Sequence, residues 1–202
     1  MKLQIAIKIL LLLIFISPAQ AKETTAIFAG GCFWCIEKDL EYVEGVIDVI
    51  SGYTGGSAEQ ANYKQVSAGG TGHYEAVQVT YDSKIISYKQ LLKEFWRGID
   101  PHDPKGQFCD KGKQYRAAIF YKDEDERRLS TSSKQTLIDS GQLKETIVTE
   151  ILKSSEFYPA EEYHQNYYKK NPMRYKFYRT RCGRDNRTQK VWENINLKEI
   201  LH

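Results

Sequence analysis

Gly30-Gly31-Cys32-Phe33-Trp34-Cys35 sets two thiols three residues apart, where the apolar run Thr24 to Ala29 gives way to apolar positions at Phe33, Ile36 and Leu40. That pattern is strand, turn and helix, with Cys32 at the helix N-terminus. Helix-end amides and the helix dipole favour the thiolate, the nucleophilic form of cysteine, and the paired glycines allow a tight turn that leaves the sulfur open. A CxxC pair on its own fits a structural disulfide, half of a zinc site or a redox dithiol. Zinc needs further ligands at suitable spacing, but Cys109 and Cys182 stand alone and no second CxxC or HxxxH exists. A bridge closing so small a loop would stabilise little, so a redox or nucleophilic thiol is the favoured reading.

Three more stretches carry chemistry. The first is Gly52-Tyr53-Thr54-Gly55-Gly56, and the second is Gly72-His73-Tyr74-Glu75-Ala76-Val77, where an acid enters an alternating apolar strand. Glu75 is in phase with Val77 and Val79, so if those face the core its carboxyl is desolvated and its pKa raised, which suits a general acid near neutral pH. At the solvent end of the strand it would do nothing. The third is the polar loop Asp110-Lys111-Gly112-Lys113-Gln114-Tyr115-Arg116, with Glu162-Tyr163-His164-Gln165 far downstream. A lone His164 in a Tyr-rich segment is more often a hydrogen-bonded structural residue than a catalyst.

The elements that must position these residues can be read from periodicity. Val46 to Tyr53, Tyr74 to Tyr81, Arg116 to Tyr121 and Thr146 to Leu152 read as strands. Ser87 caps a helix with apolar Tyr88, Leu91, Leu92, Phe95 and Trp96, and Asp123 to about Ser140 is a second helix stopped by Gly141. Beyond Pro159 only local helix is visible. With no regular βαβ rhythm and no Gly-rich phosphate loop, a mixed sheet flanked by helices fits better than a dinucleotide fold. No linker or repeat divides the chain, so one domain is expected.

Length and composition set the outer bounds. A chain of 202 residues with 41% hydrophobic residues can build a sizeable core, which excludes disorder. Lys plus Arg number 29 against 26 acids, too even a balance for a dedicated nucleic-acid binder. Lys2 and Lys8, the apolar run Ile9 to Ile16 and the closing Ala19-Gln20-Ala21 read as a secretory signal peptide over residues 1–21, cleaved after Ala21. An uncleaved leader would instead act as an anchor. The mature domain, residues 22–202, is then exported, periplasmic or secreted, with no membrane association and a monomer as the expectation.

Taken together, the motifs resemble the peptide methionine sulfoxide reductase A family. Gly31-Cys32-Phe33-Trp34 looks like its GCFWG signature with Cys35 in place of the last glycine. Gly52-Tyr53-x-Gly-Gly, His73-x-Glu75, Asp110-x-Gly-x-Gln-Tyr115-Arg116 and Glu162-x-His164-Gln165 follow in the family's order, from about Ala26 to Asp185. The resemblance implies a single α+β domain, a two-layer sandwich of ferredoxin-like type, with no metal and no bound cofactor. It implies reduction of the S epimer of methionine sulfoxide, free or in oxidised proteins and peptides, with Cys32 attacking sulfur and becoming a sulfenic acid. Glu75 would protonate the sulfoxide oxygen, Tyr53 and Tyr115 would hydrogen-bond it, Asp110 would join the hydrogen-bond network, and Phe33 and Trp34 would hold the S-methyl group.

Regeneration is where the sequence departs from part of the family. Many members carry a resolving cysteine just after an Asn-Pro-x-x-Tyr stretch, but Asn171-Pro172-Met173-Arg174-Tyr175 is followed here by Lys176. Cys35 ranks first as the resolving thiol and Cys182 second, while Cys109 is read as a third redox thiol or, with the better prior, a small buried side chain. A thioredoxin-like donor would reduce the resulting disulfide. The rival from another class is a thiol–disulfide exchange protein that uses Cys32 and Cys35 with no role for Glu75.

Overall fold

The structure, a computed structural model, describes residues 22–201. Its frame is a six-stranded mixed sheet. β1 (Glu23–Gly30) lies antiparallel between β3 (Tyr74–Asp82) and β6 (Ala117–Tyr121), β2 (Val46–Thr54) continues outward from β3, and a short β8 (Phe157–Pro159) closes that edge. At the other edge β7 (Glu150–Lys153) pairs parallel to β6. That one parallel step needs a crossover, supplied by α4 (Glu124–Asp139), whose N-cap Asp123 accepts from the Glu126 amide.

The strand alternation decides which face takes the helices. Phe28 on β1 and Val77 and Val79 on β3 are fully buried beneath α1 (Phe33–Glu41), α3 (Tyr88–Arg97) and α4. α3 is amphipathic as expected: Leu91, Leu92, Phe95 and Trp96 enter this core, and Ser87 with Gln90 forms a capping box. Trp96 donates to Ser133 Oγ at 3.1 Å, satisfying a buried indole and joining α3 to α4. The opposite face is thinner, with Ala29, Tyr74, Ala76, Ala118 and Phe120 as its buried cluster. This is the two-layer α+β sandwich that the sequence implies.

Several elements differ from the sequence-based expectation. The expected strand 146–152 is shorter and lies at Glu150–Lys153, and the chain adds a six-residue α2 (Tyr63–Ala68) and a small hairpin of β4 (Gly106–Gln107) and β5 (Asp110–Lys111). The segment after Pro159 forms α5 (Tyr167–Lys170), α6 (Pro172–Cys182), α7 (Arg184–Trp192) and α8 (Leu197–Ile200). Pro172 opens α6, where a missing N–H costs nothing, and Gly183 leaves it in the left-handed region. Arg184, 2% exposed, then donates to the carbonyls of Gly30 and Gly98, fastening α7 beside the turn ahead of Cys32. Gly31 in that turn has φ +83°, and a Cβ there would stand 2.6 Å from Gln107 Cβ, so only glycine fits. The expected leader lies outside the described residues. Among the described residues no helix is long and apolar enough to cross a membrane.

Candidate active site

Cys32 is the N-cap of α1, and the next amide, Phe33 N–H, donates to Glu75 Oε2 at 3.2 Å. β3 thus carries its acid directly under the first turn of α1. Cys32 and Glu75 line one cavity of about 60 Å³ together with Tyr63, Tyr115 and Asp110, while Phe33, Trp34 and Tyr178 complete its wall. Pockets for whole drug-sized ligands run to roughly 300–1,000 Å³, so this one admits the tip of a single side chain.

Burial dominates the electrostatics. Glu75, 2% exposed, has its pKa pushed up to about 8 by desolvation, against the pull of the Phe33 amide, so it holds a proton at neutral pH. Desolvation likewise raises the Asp110 carboxyl, while the hydrogen bond donated by Tyr178 opposes it. The Tyr63 phenol is pushed up to about 12 and Tyr115 also upward, both first by burial, so both remain O–H donors. The two thiols do not divide as the helix-end argument expects. Cys32 is raised first by burial and next by its pairing with Cys35, with Glu75 and Asp110 adding less, whereas Cys35 falls to about 7 through a hydrogen bond from Cys32 and the nearby Arg184 and Arg179. Cys35 is the more acidic of the two, because it pairs with Cys32 and lies near two guanidinium groups, while burial favours the neutral thiol at Cys32.

Trp34 is clamped on three sides. Its indole stacks on Tyr167 with centroids 3.7 Å apart, meets Tyr178 edge-on, and donates from Nε1 to His164 Nδ1 at 3.0 Å. An accepting Nδ1 places the His164 proton on Nε2, which has no partner and stands 3.9 Å from Glu161 Oε2. Desolvation lowers the His164 pKa to about 4, so the ring stays a neutral acceptor across the physiological range. His164→Phe keeps a flat ring but strands the indole N–H, a loss of about 1–3 kcal/mol. The expected result is a rise in the substrate KM that exceeds the fall in kcat, read from steady-state kinetics.

The structure brings Cys32, Glu75, Tyr115, Asp110, Phe33 and Trp34 together at one cavity. Tyr53 is the exception. It pairs across from Glu75 in the β2–β3 register, but its fully buried phenol donates to Glu161 Oε2 at 2.9 Å and does not line the cavity. Tyr63, at the start of α2, stands at the cavity instead, and its amide donates to Glu161 Oε1 at 2.9 Å. Asn62 just before it is a legible N-cap, whereas nothing in the sequence marks Tyr63 over the other tyrosines. Tyr63→Phe is therefore expected to slow sulfoxide reduction by about tenfold or more in rapid-quench assays. Tyr53→Phe should cost mainly stability, seen as a lower Tm.

The other correction concerns the downstream cysteines. Cys109 is exposed rather than buried, and it forms a disulfide with Cys182, 73 residues away. Cys182 is thus already bonded and offers no free thiol to Cys32, while Cys32 and Cys35 are both free. Cys109, Asp110 and Cys182 bring three donor atoms within 4.8 Å, but two of them are sulfurs joined to each other and hence not thiolate ligands.

Comparison with known proteins agrees with this geometry. Residues 24–196 match the family model described as peptide methionine sulfoxide reductase. The chain is 50% identical over 167 residues to the peptide methionine sulfoxide reductase MsrA of Halalkalibacterium halodurans, covering 83% of this chain and 95% of that protein. It is 48% identical over 170 residues to the MsrA/MsrB protein of Vibrio cholerae, where the match covers 84% of this chain but 45% of the relative. Among solved structures, reduced Mxr1 of Saccharomyces cerevisiae superposes with a TM-score of 0.67 at 33% identity, over 75% of this chain and 87% of that one. Methionine sulfoxide reductase A of Corynebacterium diphtheriae gives 0.66 at 30% identity, over 76% and 77%.

Proposed function

The chain belongs to the peptide methionine sulfoxide reductase A family, and from that premise we propose that it reduces the S epimer of methionine sulfoxide, protein-bound or free, to methionine. The observation that carries this reading is the cavity itself: a nucleophilic sulfur, a protonated carboxyl and two phenols surround a space fit for one methyl sulfoxide tip, walled by Phe33 and Trp34.

As Cys32 attacks the sulfoxide sulfur, its proton passes to the hydrogen-bonded Cys35, and Glu75 delivers a second proton to the sulfoxide oxygen. Tyr63 and Tyr115 donate to that oxygen as charge builds on it. The oxygen then shifts from the substrate sulfur to Cys32 as the bond between the two sulfurs breaks, so methionine leaves two electrons richer and Cys32 is left as a sulfenic acid. Asp110, held by Tyr178, keeps the polar wall in place. Cys35 next attacks the sulfenic sulfur, its proton and the hydroxyl depart as water, and a Cys32–Cys35 disulfide forms. A thioredoxin-like dithiol donor restores both thiols, with no resident cofactor in the cycle.

The leader-like residues 1–21 support action outside the cytoplasm, where the donor's electrons must be supplied across the membrane. The whole reading is tested with a peptide carrying resolved sulfoxide epimers. The expected result is methionine from the S epimer alone; equal rates on both epimers, or none on either, overturn it.

A further inference from the structure

We propose that the Cys109–Cys182 disulfide is a positioning element of the substrate pocket, a clasp that holds Asp110 and Tyr178 as one wall, and that its opening weakens substrate binding. The inference rests on the sulfoxide-reductase reading of that pocket. Cys109 directly precedes Asp110, and Cys182 follows Tyr178 by four residues on α6, so each half of the bridge is attached to a wall residue one step or one helical turn away. Asp110 and Tyr178 both line the cavity, and the Tyr178 hydroxyl donates to Asp110 Oδ2. The two sulfurs lie 3.9 and 3.8 Å from the two oxygens of the same carboxyl, so the bridge packs against the group it positions.

Each piece is anchored on its own side, the hairpin by Gln107 to Asp100 and Lys111 to Asp103 and α6 by Arg179 to Asp39, and the bridge ties the two together. The β4–β5 hairpin has two residues in each strand, below what pairing alone can keep in place, and it turns through Phe108 at φ +53°, a left-handed conformation that a bulky side chain rarely adopts. On the other side, α6 buries a single residue, Tyr175. Arg184 lies 4.6 Å over the Phe108 ring and bonds to the Gly30 and Gly98 carbonyls. Hairpin and helix are thus joined by the Tyr178–Asp110 hydrogen bond and, covalently across 73 residues, by the bridge.

The clasp can be opened. Cys109 is exposed, so a dithiol can attack its sulfur, release Cys182 as thiolate and, after its second thiol resolves the mixed disulfide, leave two protein thiols and an oxidised donor. Cys32 and Cys35 keep their own two-electron cycle throughout.

The test is a Cys109→Ser/Cys182→Ser protein, shown to be folded by circular dichroism, compared with the parent on a sulfoxide peptide by rapid-quench kinetics and intact mass. The expected result is a KM roughly tenfold higher with kcat less affected, and a Cys32–Cys35 disulfide that still forms. Tyr178→Phe should raise KM in the parent but add little in the bridge-less protein, since both changes loosen the same wall. An unchanged KM, multiplicative penalties, or a stall at the sulfenic acid each overturn the proposal, the last by giving this cysteine pair a part in resolution. Should the bridge-less protein not fold, the parent is compared with and without prior opening of its bridge by mild dithiol, the open fraction read by intact mass, which gives the same comparison. An inactive parent would instead refute the sulfoxide-reductase reading.

Discussion

A Cys35→Ser protein is expected to release about one methionine per chain and then stop, with steady-state turnover on a thioredoxin-like donor reduced by more than about 10²-fold. The reasoning is positional. After the first step the oxidised sulfur of Cys32 is nearly enclosed, 6% exposed, and the free thiol beside it is Cys35, one helical turn along α1. Cys182, the other candidate, is bonded to Cys109. Cys35 also has the electrostatic setting of an attacking thiolate, since Arg184 and Arg179 help to hold its pKa at about 7. The rate of disulfide formation in the parent should therefore rise with pH through about 7 and level off above it. Intact mass spectrometry of Cys35→Ser after one turnover should show a single added oxygen on Cys32. Continued turnover, or a disulfide joining Cys32 to another cysteine, would assign resolution elsewhere.

The serine would also remove the base that takes the Cys32 proton, so the single turnover itself should be slower than in the parent, though still measurable. The two effects separate in time: the burst reports proton transfer, and the absent steady state reports resolution.

How far this site could be read from the sequence depended on whether a residue's signal was local. Glu75 was legible because strand alternation ties it to Val77 and Val79, and all three prove buried on the face that α1 covers. α3 was legible because its cap and its apolar face lie within ten residues. Tyr63 was not, because α2 is only six residues long and its phenol reaches the cavity through the path of the preceding loop, which no periodicity encodes. Tyr53 drew the assignment because Gly52-Tyr53-x-Gly-Gly resembles the family's motif, yet a carboxylate 108 residues away, Glu161, accepts its hydrogen bond. The Cys109–Cys182 pairing was hidden for the same reason, since it exists only once α6 has packed back against the β4–β5 hairpin. The acidity of the thiols failed differently. The helix dipole was correctly placed, but desolvation and the pairing with Cys35 outweigh it at Cys32.

Glu75→Gln is expected to lower the rate of methionine formation by about 10²–10⁴-fold, the range that a positioned general acid supplies. Glutamine preserves the side-chain length, and its amide oxygen can still accept from the Phe33 N–H, so the turn ahead of α1 should keep its geometry. What it cannot do is deliver a proton to the oxygen leaving sulfur. The sign of the pH dependence follows from the same group. Burial raises Glu75 from 4.5 to about 8, so the competent, protonated form persists through neutrality and is lost as pH climbs past about 8. The parent's single-turnover rate should fall on that alkaline limb, and Glu75→Gln should be slow and flat across it. Thiol–disulfide exchange with a small disulfide uses Cys32 and Cys35 but no acid on β3, so the variant should retain most of it. A Glu75→Gln protein that reduces sulfoxide at the parental rate, or that loses both activities together, would show that the buried carboxyl shapes the turn and takes no part in the chemistry.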